Sequence, residues 1–151
     1  MLAYQKGCVT MELAKLTLAD MKALVVDDHF TERAHLKLLL KNLGCPVVDE
    51  APTVTEAEFM AKSKRYDIIF LDWTLPGKET GVDMLRRLRS DQTFDYTAFV
   101  MVTAKSEPDD IILALRAGAT SYIIKPASPE KLQENVLDVV EWIRQRLALK
   151  R

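Results

Sequence analysis

The chain has only two cysteines and two histidines in 151 residues, and that scarcity closes several routes at once. Cys8 and Cys45 form no CxxC or Cys/His spacing, so they read as buried or incidental thiols rather than a metal or redox site. His29 and His35 are too few for a zinc centre without other ligands, and no Ser/His/Asp pattern stands out. Neither sign of charge dominates. With 21 basic and 22 acidic residues the net charge is −1, which argues against direct DNA binding as the main function. No apolar run approaches the roughly 18 to 20 residues that a membrane span needs. The start, MLAYQKGCVTMELAKLTLADM, lacks the basic opening and continuous apolar stretch of a signal peptide, so a cytoplasmic location is the default expectation. Internal repeats, low-complexity tracts and interdomain linkers are missing too. What is there is ordinary for one globular domain with a proper core: 48% hydrophobic and 28% charged residues.

Along the chain, strand and helix patterns alternate five times. Ala23-Leu24-Val25-Val26 reads as a buried strand that stops at Asp27-Asp28. In the next helix Leu36, Leu39, Leu40 and Leu43 make one apolar stripe, closed by Gly44. A weaker strand is expected around 46–49 and a helix over about 53–64. The strongest strand, Asp67 to Leu71, ends at Asp72, and a loop with Pro76, Gly77 and Gly81 leads into a helix over 82–89. A strand over 97–102, a helix over 108–117 stopped by Gly118, a strand over 121–124 and a long helix over about 128–148 complete the pattern. In the last helix Leu132, Val136, Val139, Val140, Ile143 and Leu147 share a face. Such alternation predicts an α/β fold: a doubly wound, flavodoxin-like five-stranded parallel sheet of order 2-1-3-4-5, with helices on both faces. Residues 1–20 fall outside the alternation, as a short helix carrying Leu13 and Leu16 or as an extension; residues 21–151 form the expected domain.

In open parallel sheets, functional groups gather beyond the carboxyl ends of the strands. Strand one ends in Asp27-Asp28, strand three in Asp72, strand four in Thr103 and strand five in Lys125-Pro126. In the expected order these four strands are consecutive neighbours. Each residue has a plain reading by itself: Asp28 as a helix cap, Thr103 as a cap or loop hydrogen bond, Lys125 as a solvated loop lysine. Asp72 resists such a reading, because it interrupts the buried run Ile-Ile-Phe-Leu. Three neighbouring carboxylates repel one another unless a cation or proton intervenes, and a hard divalent ion with oxygen ligands fits that need.

The set VVDD, FLDWTLP, VTA and YIIKP resembles the receiver domain of two-component response regulators, and is especially similar to the stand-alone chemotaxis type (CheY-like), over about residues 21–148. The resemblance implies that Asp72 accepts a phosphoryl group and that Asp28, Asp72 and the backbone carbonyl of Thr74 bind Mg²⁺, with Asp27 acting through water. Thr103 and Lys125 would contact the phosphoryl oxygens. Tyr122 falls on the family's switch-aromatic position, where the bland alternative is an ordinary core or surface aromatic. The donor would be a sensor histidine kinase or a histidine phosphotransfer protein. Such a chain would catalyse only its own phosphorylation and dephosphorylation.

The sequence departs from that family in two places. Gly77-Lys78-Glu79-Thr80 is one residue longer than usual between Pro76 and Gly81, and Ala127 stands where Phe is common. Thr74 and Lys105 occupy positions that tune the phosphoryl lifetime in that family. Output by protein contact would use the fourth helix, fifth strand and fifth helix, around Arg116, Tyr122 and Lys131. Trp142 lies off the apolar stripe of the last helix; it meets a partner, a second copy in a homodimer included, or packs against a neighbouring helix. Three rival readings have sequence tests. A haloacid-dehalogenase-type phosphohydrolase would have an acid where Thr74 stands, and a flavin protein would have a phosphate loop after strand one. A receiver-fold interaction module independent of phosphorylation would not need the intact Asp27, Asp28, Asp72, Thr103 and Lys125.

Overall fold

The computed structural model describes residues 15–150. Five strands, β1 (Lys22–Val26), β2 (Val47–Ala51), β3 (Ile68–Leu71), β4 (Ala98–Thr103) and β5 (Ser121–Ile124), alternate with five helices. The helices are α1 (Phe30–Asn42), α2 (Val54–Ser63), α3 (Gly81–Arg89), α4 (Pro108–Ala117) and α5 (Pro129–Leu149). All strand pairings are parallel and the order is β2-β1-β3-β4-β5, as the alternation requires.

Because successive strand residues point to opposite faces, the apolar strands divide into two cores. One holds Val25, Phe70, Val100 and Ile123 under α1 and α5; the other holds Leu24, Leu71, Phe99 and Met101 under α2, α3 and α4. The α1 stripe is buried through Leu36, Leu39 and Leu40, with Leu43 packed at its margin. Gly44, at φ 104°, ends α1: its amide donates to the Lys41 carbonyl and the Cys45 amide to the Leu40 carbonyl, a Schellman close. Cys45 is a buried thiol whose pKa burial pushes up, and Cys8 and Leu13 lie outside the described residues.

β2 runs two residues further than the sequence pattern suggested. The expected strand stopped at Asp49, yet Asp49 and Glu50 both stand on an edge strand whose backbone pairs with Leu24 and Val25. Their carboxylates are taken by Tyr66 and Lys64, and by Arg33 and Lys37. A 3-10 turn, Leu18–Asp20, precedes β1 with Thr17 as its cap, and Leu18 is buried in the α1/α5 core. Arg144 on α5 donates to the Leu16 carbonyl, so residues 16–20 pack on the domain. Trp142 packs at the margin of the same core with the guanidinium groups of Arg89 and Arg146 over its ring at 5.6 and 5.3 Å. This is the helix-packing alternative. Among the described residues no helix is long and apolar enough to cross a membrane.

Candidate functional site

Four strand ends meet because their backbones are tied in register. The Asp27 amide donates to Ala51, the Asp72 amide to Val26 and the Lys125 amide to Thr103. Asp27, Asp72 and Thr103 are all buried, at 6%, 5% and 2% exposure, so polar side chains are held inside the sheet's carboxyl edge. Burying charge this way is costly unless it is compensated. Lys125 supplies the compensation: its ammonium lies 2.8 Å from Asp27 Oδ2 and 2.8 Å from Asp72 Oδ2, and also contacts Glu32. Burial disfavours the ammonium, but the hydrogen bonds to Asp27, Asp72 and Glu32 outweigh it and hold the Lys125 pKa above the usual lysine value. The solvated-loop reading of this lysine therefore does not hold.

Asp28 is more open, its side chain 35% exposed and 3.4 Å from His29 Nδ1. It does not cap α1; the cap position belongs to His29, whose own side chain makes no capping bond. Asp27 Oδ1 instead accepts from the His29 amide and approaches its ring nitrogen at 3.2 Å. That hydrogen bond, with Asp28 and Glu32 nearby, raises the imidazole pKa above its ordinary value. Ligand atoms of Asp27, His29, Glu32 and Asp72 all lie within 4.8 Å of one another, whereas Asp28 stands outside that group. Glu32 and His29 were not among the expected site residues. The available signal was that His29 stands at the cap position of α1 and Glu32 lies in its first turn, a few residues beyond the strand end, where the start of α1 leans over the site.

On the other side, the Asp72 loop is packed unusually close to α3. A Cβ on Gly81 would lie 1.9 Å from the Asp72 carbonyl oxygen, and the Gly81 amide donates to the Trp73 carbonyl at 2.8 Å. Only glycine permits this approach. The Thr74 amide reaches back to Asp72 Oδ1 at 3.4 Å. Lys105 links the remaining parts. Its ammonium lies 5.2 Å from the Trp73 ring centre, its amide is 3.4 Å from Thr103 Oγ1, and its carbonyl accepts from the Tyr122 hydroxyl at 2.8 Å. Tyr122 is thus half-buried with its hydroxyl tied to the β4 loop; burial, with the charges of Asp110 and Asp72, pushes its phenol up to about 12.

The sequence profile of the response regulator receiver domain matches residues 23–137, most of the chain. The chain belongs to the response regulator receiver domain family. It is 39% identical over 123 residues to the chemotaxis protein CheY of Pseudomonas aeruginosa, covering 82% of this chain and 98% of that one. It is 35% identical over 122 residues to CheY-3 of Vibrio cholerae, covering 81% and 93%. Among solved structures it is similar to the chemotaxis protein CheY4 of Vibrio cholerae, with a TM-score of 0.73 at 28% identity, over 79% of this chain and 98% of that chain. A two-component response regulator from Clostridium difficile gives 0.72 at 28% identity, over 80% and 96%. The protein is a CheY-like receiver, a signalling unit of phosphorelays.

Receiver domains use Mg²⁺, and the residues present fit such an ion. The donors are mainly carboxylate oxygens, three of which already converge on a single ammonium. A hard, oxygen-seeking divalent cation suits that donor set.

Proposed function

We propose that Asp72 is the phosphoacceptor, taking its phosphoryl group from a phosphohistidine on a kinase or phosphotransfer protein, or from a small acyl phosphate. The observation that carries this reading is the contact between the Lys125 ammonium and the buried carboxylates of Asp72 and Asp27. A carboxylate oxygen of Asp72 attacks phosphorus, the bond from phosphorus to the donor nitrogen or acyl oxygen breaks, and its electron pair leaves with the donor. Lys125 exchanges a carboxylate for an equatorial phosphoryl oxygen and neutralises its charge. The Thr103 hydroxyl donates to another. Mg²⁺, held by Asp28, Asp72 and the Thr74 carbonyl with Asp27 through water, supplies further positive charge when bound.

Tyr122 then reads the event out. Drawing Thr103 toward the phosphoryl group pulls on Lys105, whose carbonyl holds the Tyr122 hydroxyl. A decisive shift between two states requires about 5.5 kcal/mol of differential stabilisation, for a population change from 1:99 to 99:1. The downstream protein binds the α4-β5-α5 face, where Ile111, Ile124 and Lys131 line a groove with Tyr122, and a homodimer through that face is the alternative occupant. Catalysis is limited to the chain's own phosphorylation and dephosphorylation, and the working location is the cytoplasm.

Incubation with Mg²⁺ and acetyl phosphate tests this by intact mass. Wild type gains one phosphoryl group and Asp72→Asn gains none. Absence of an Asp72-dependent gain, from acetyl phosphate and from any cognate kinase, overturns the assignment.

A further inference from the structure

The loop between Asp72 and α3 carries the Thr74 carbonyl, yet Pro76, Gly77, Lys78 and Glu79 are all exposed. It is also one residue longer than is usual in the family. Leu75 is buried in the α2/α3/α4 core and Trp73 packs against it, which anchors the start of the loop. The exposed stretch 76–79 has no such packing and would open at low free energy unless something else fixes it. At its α3 end the fixing is local: the Thr80 amide donates to Asp83 Oδ2 and the Asp83 amide to Thr80 Oγ1, at 2.9 and 3.1 Å. At the middle of the loop it is an ion pair. Arg87 NH2 lies 2.6 Å from Glu79 Oε2, and the same guanidinium grips Glu58 on α2 with two bonds, Nε to Oε2 at 3.0 Å and NH2 to Oε1 at 2.7 Å. Lys62 holds Glu58 from the other side at 3.1 Å. The Glu58 side chain is 16% exposed, so the far end of the clamp is set into the α2–α3 surface. A bidentate, networked pair of this sort has a fixed geometry that an isolated surface pair lacks.

We propose that Arg87 is a positioning residue for the divalent cation: by holding Glu79 against Glu58 it fixes the loop that presents the Thr74 carbonyl. This rests on the Mg²⁺ site proposed above. Arg87 touches neither the phosphoacceptor nor the ion, and acts only through the loop.

The decisive variants change charge in opposite directions. Arg87→Met removes a positive charge near an acidic site, so through-space electrostatics alone would tighten Mg²⁺ binding, whereas loss of the clamp weakens it. Glu79→Gln keeps the Arg87–Glu58 pair and frees only the loop. Mg²⁺ titration is followed by the emission of Trp73, in a Trp142→Phe background, with the thermal midpoint measured without Mg²⁺. Both variants are expected to weaken Mg²⁺ binding by about 10-fold, the lower end of what residues behind metal ligands contribute. Glu79→Gln should leave the metal-free midpoint unchanged. If Arg87→Met binds Mg²⁺ as tightly as wild type or tighter, or Glu79→Gln binds it as wild type does, the clamp is overturned while the site stands. If wild type itself shows no Mg²⁺ binding, both fall.

Discussion

At the carboxyl edge of the sheet, Lys125 shares one ammonium among Asp27, Asp72 and Glu32. At the amino edge, Arg89 has no ion pair among the described residues. Its guanidinium donates to the carbonyls of Gly118, Phe94 and Thr97 and to Thr120 Oγ1, at 2.8 to 3.2 Å, and lies over the Phe99 and Trp142 rings. Burial and the nearby charge of Arg146 pull its pKa down to about 10, so it remains a cation throughout the physiological range. Both edges bury a cation. One surrounds it with backbone carbonyls, a hydroxyl and aromatic rings, the other with three carboxylates, an excess of negative charge. The first arrangement is a structural pin; the second is unfinished without another cation or anion, which suits a site that exchanges partners.

Arg89→Met tests the pin most severely. It removes the shared donor to the Gly118, Phe94 and Thr97 carbonyls, of which Phe94 keeps the Thr97 amide, where α3, the 92–97 segment and the turn before β5 meet, and should lower the unfolding free energy by about 3 kcal/mol in urea. Mg²⁺ should not restore it. A Gly118 substitution cannot relieve this junction, because φ is +114° and a Cβ would sit 2.5 Å from Arg89 Cγ.

Lys125→Met sharpens the contrast at the other edge. Removing the shared ammonium leaves carboxylates facing one another, and should cost about 2 kcal/mol in EDTA, below the figure for a fully buried pair because Glu32 is half-exposed. Millimolar Mg²⁺ should recover most of that loss, since an ion that binds only the folded chain stabilises it by mass action. Equal losses with and without Mg²⁺ would make Lys125 a pin like Arg89.

Tyr66→Phe gives the smallest effect. The Tyr66 hydroxyl donates to Asp49 Oδ2 at 2.5 Å, and this bond first, with Lys64, lowers the Asp49 pKa. Its loss should cost about 1 kcal/mol at neutral pH. A depressed carboxylate pKa adds stability above the unfolded value and loses it as pH falls through the folded one. The gap between wild type and Tyr66→Phe should therefore narrow on acidification below the usual carboxylate range, in urea midpoints measured across pH. A pH-independent gap would assign the effect to packing.

Much of the fold was legible because burial on both faces leaves a long signature. Ile-Ile-Phe-Leu before Asp72 and the α5 stripe from Leu132 to Ile143 occupy the strand and helix that those patterns require. β2 ends two residues later than expected, at Ala51, because an edge strand tolerates Glu50 as well as Asp49, their partners coming from α1 and the segment before β3. Leu18 gave no signal, since one buried residue ahead of β1 has no period to reveal it. Asp27, Asp72, Thr103 and Lys125 could be placed together by topology alone. Glu32, His29, Trp73 and Arg87 could not, because their roles depend on how a helix start and a loop lean across the strand ends.

By itself, the sequence determined which residues end the strands and, through the right-handed βαβ rule, that four of those ends adjoin. Hydrophobic periodicity and strand-end chemistry are local properties, and a linear chain displays them. The tertiary structure decided which acid holds which cation: Asp27 and Asp72 on Lys125, Asp28 turned aside to His29, and Glu79 drawn to Arg87. Those choices turn on distances of a few ångströms between elements far apart in the chain, and only packing fixes them.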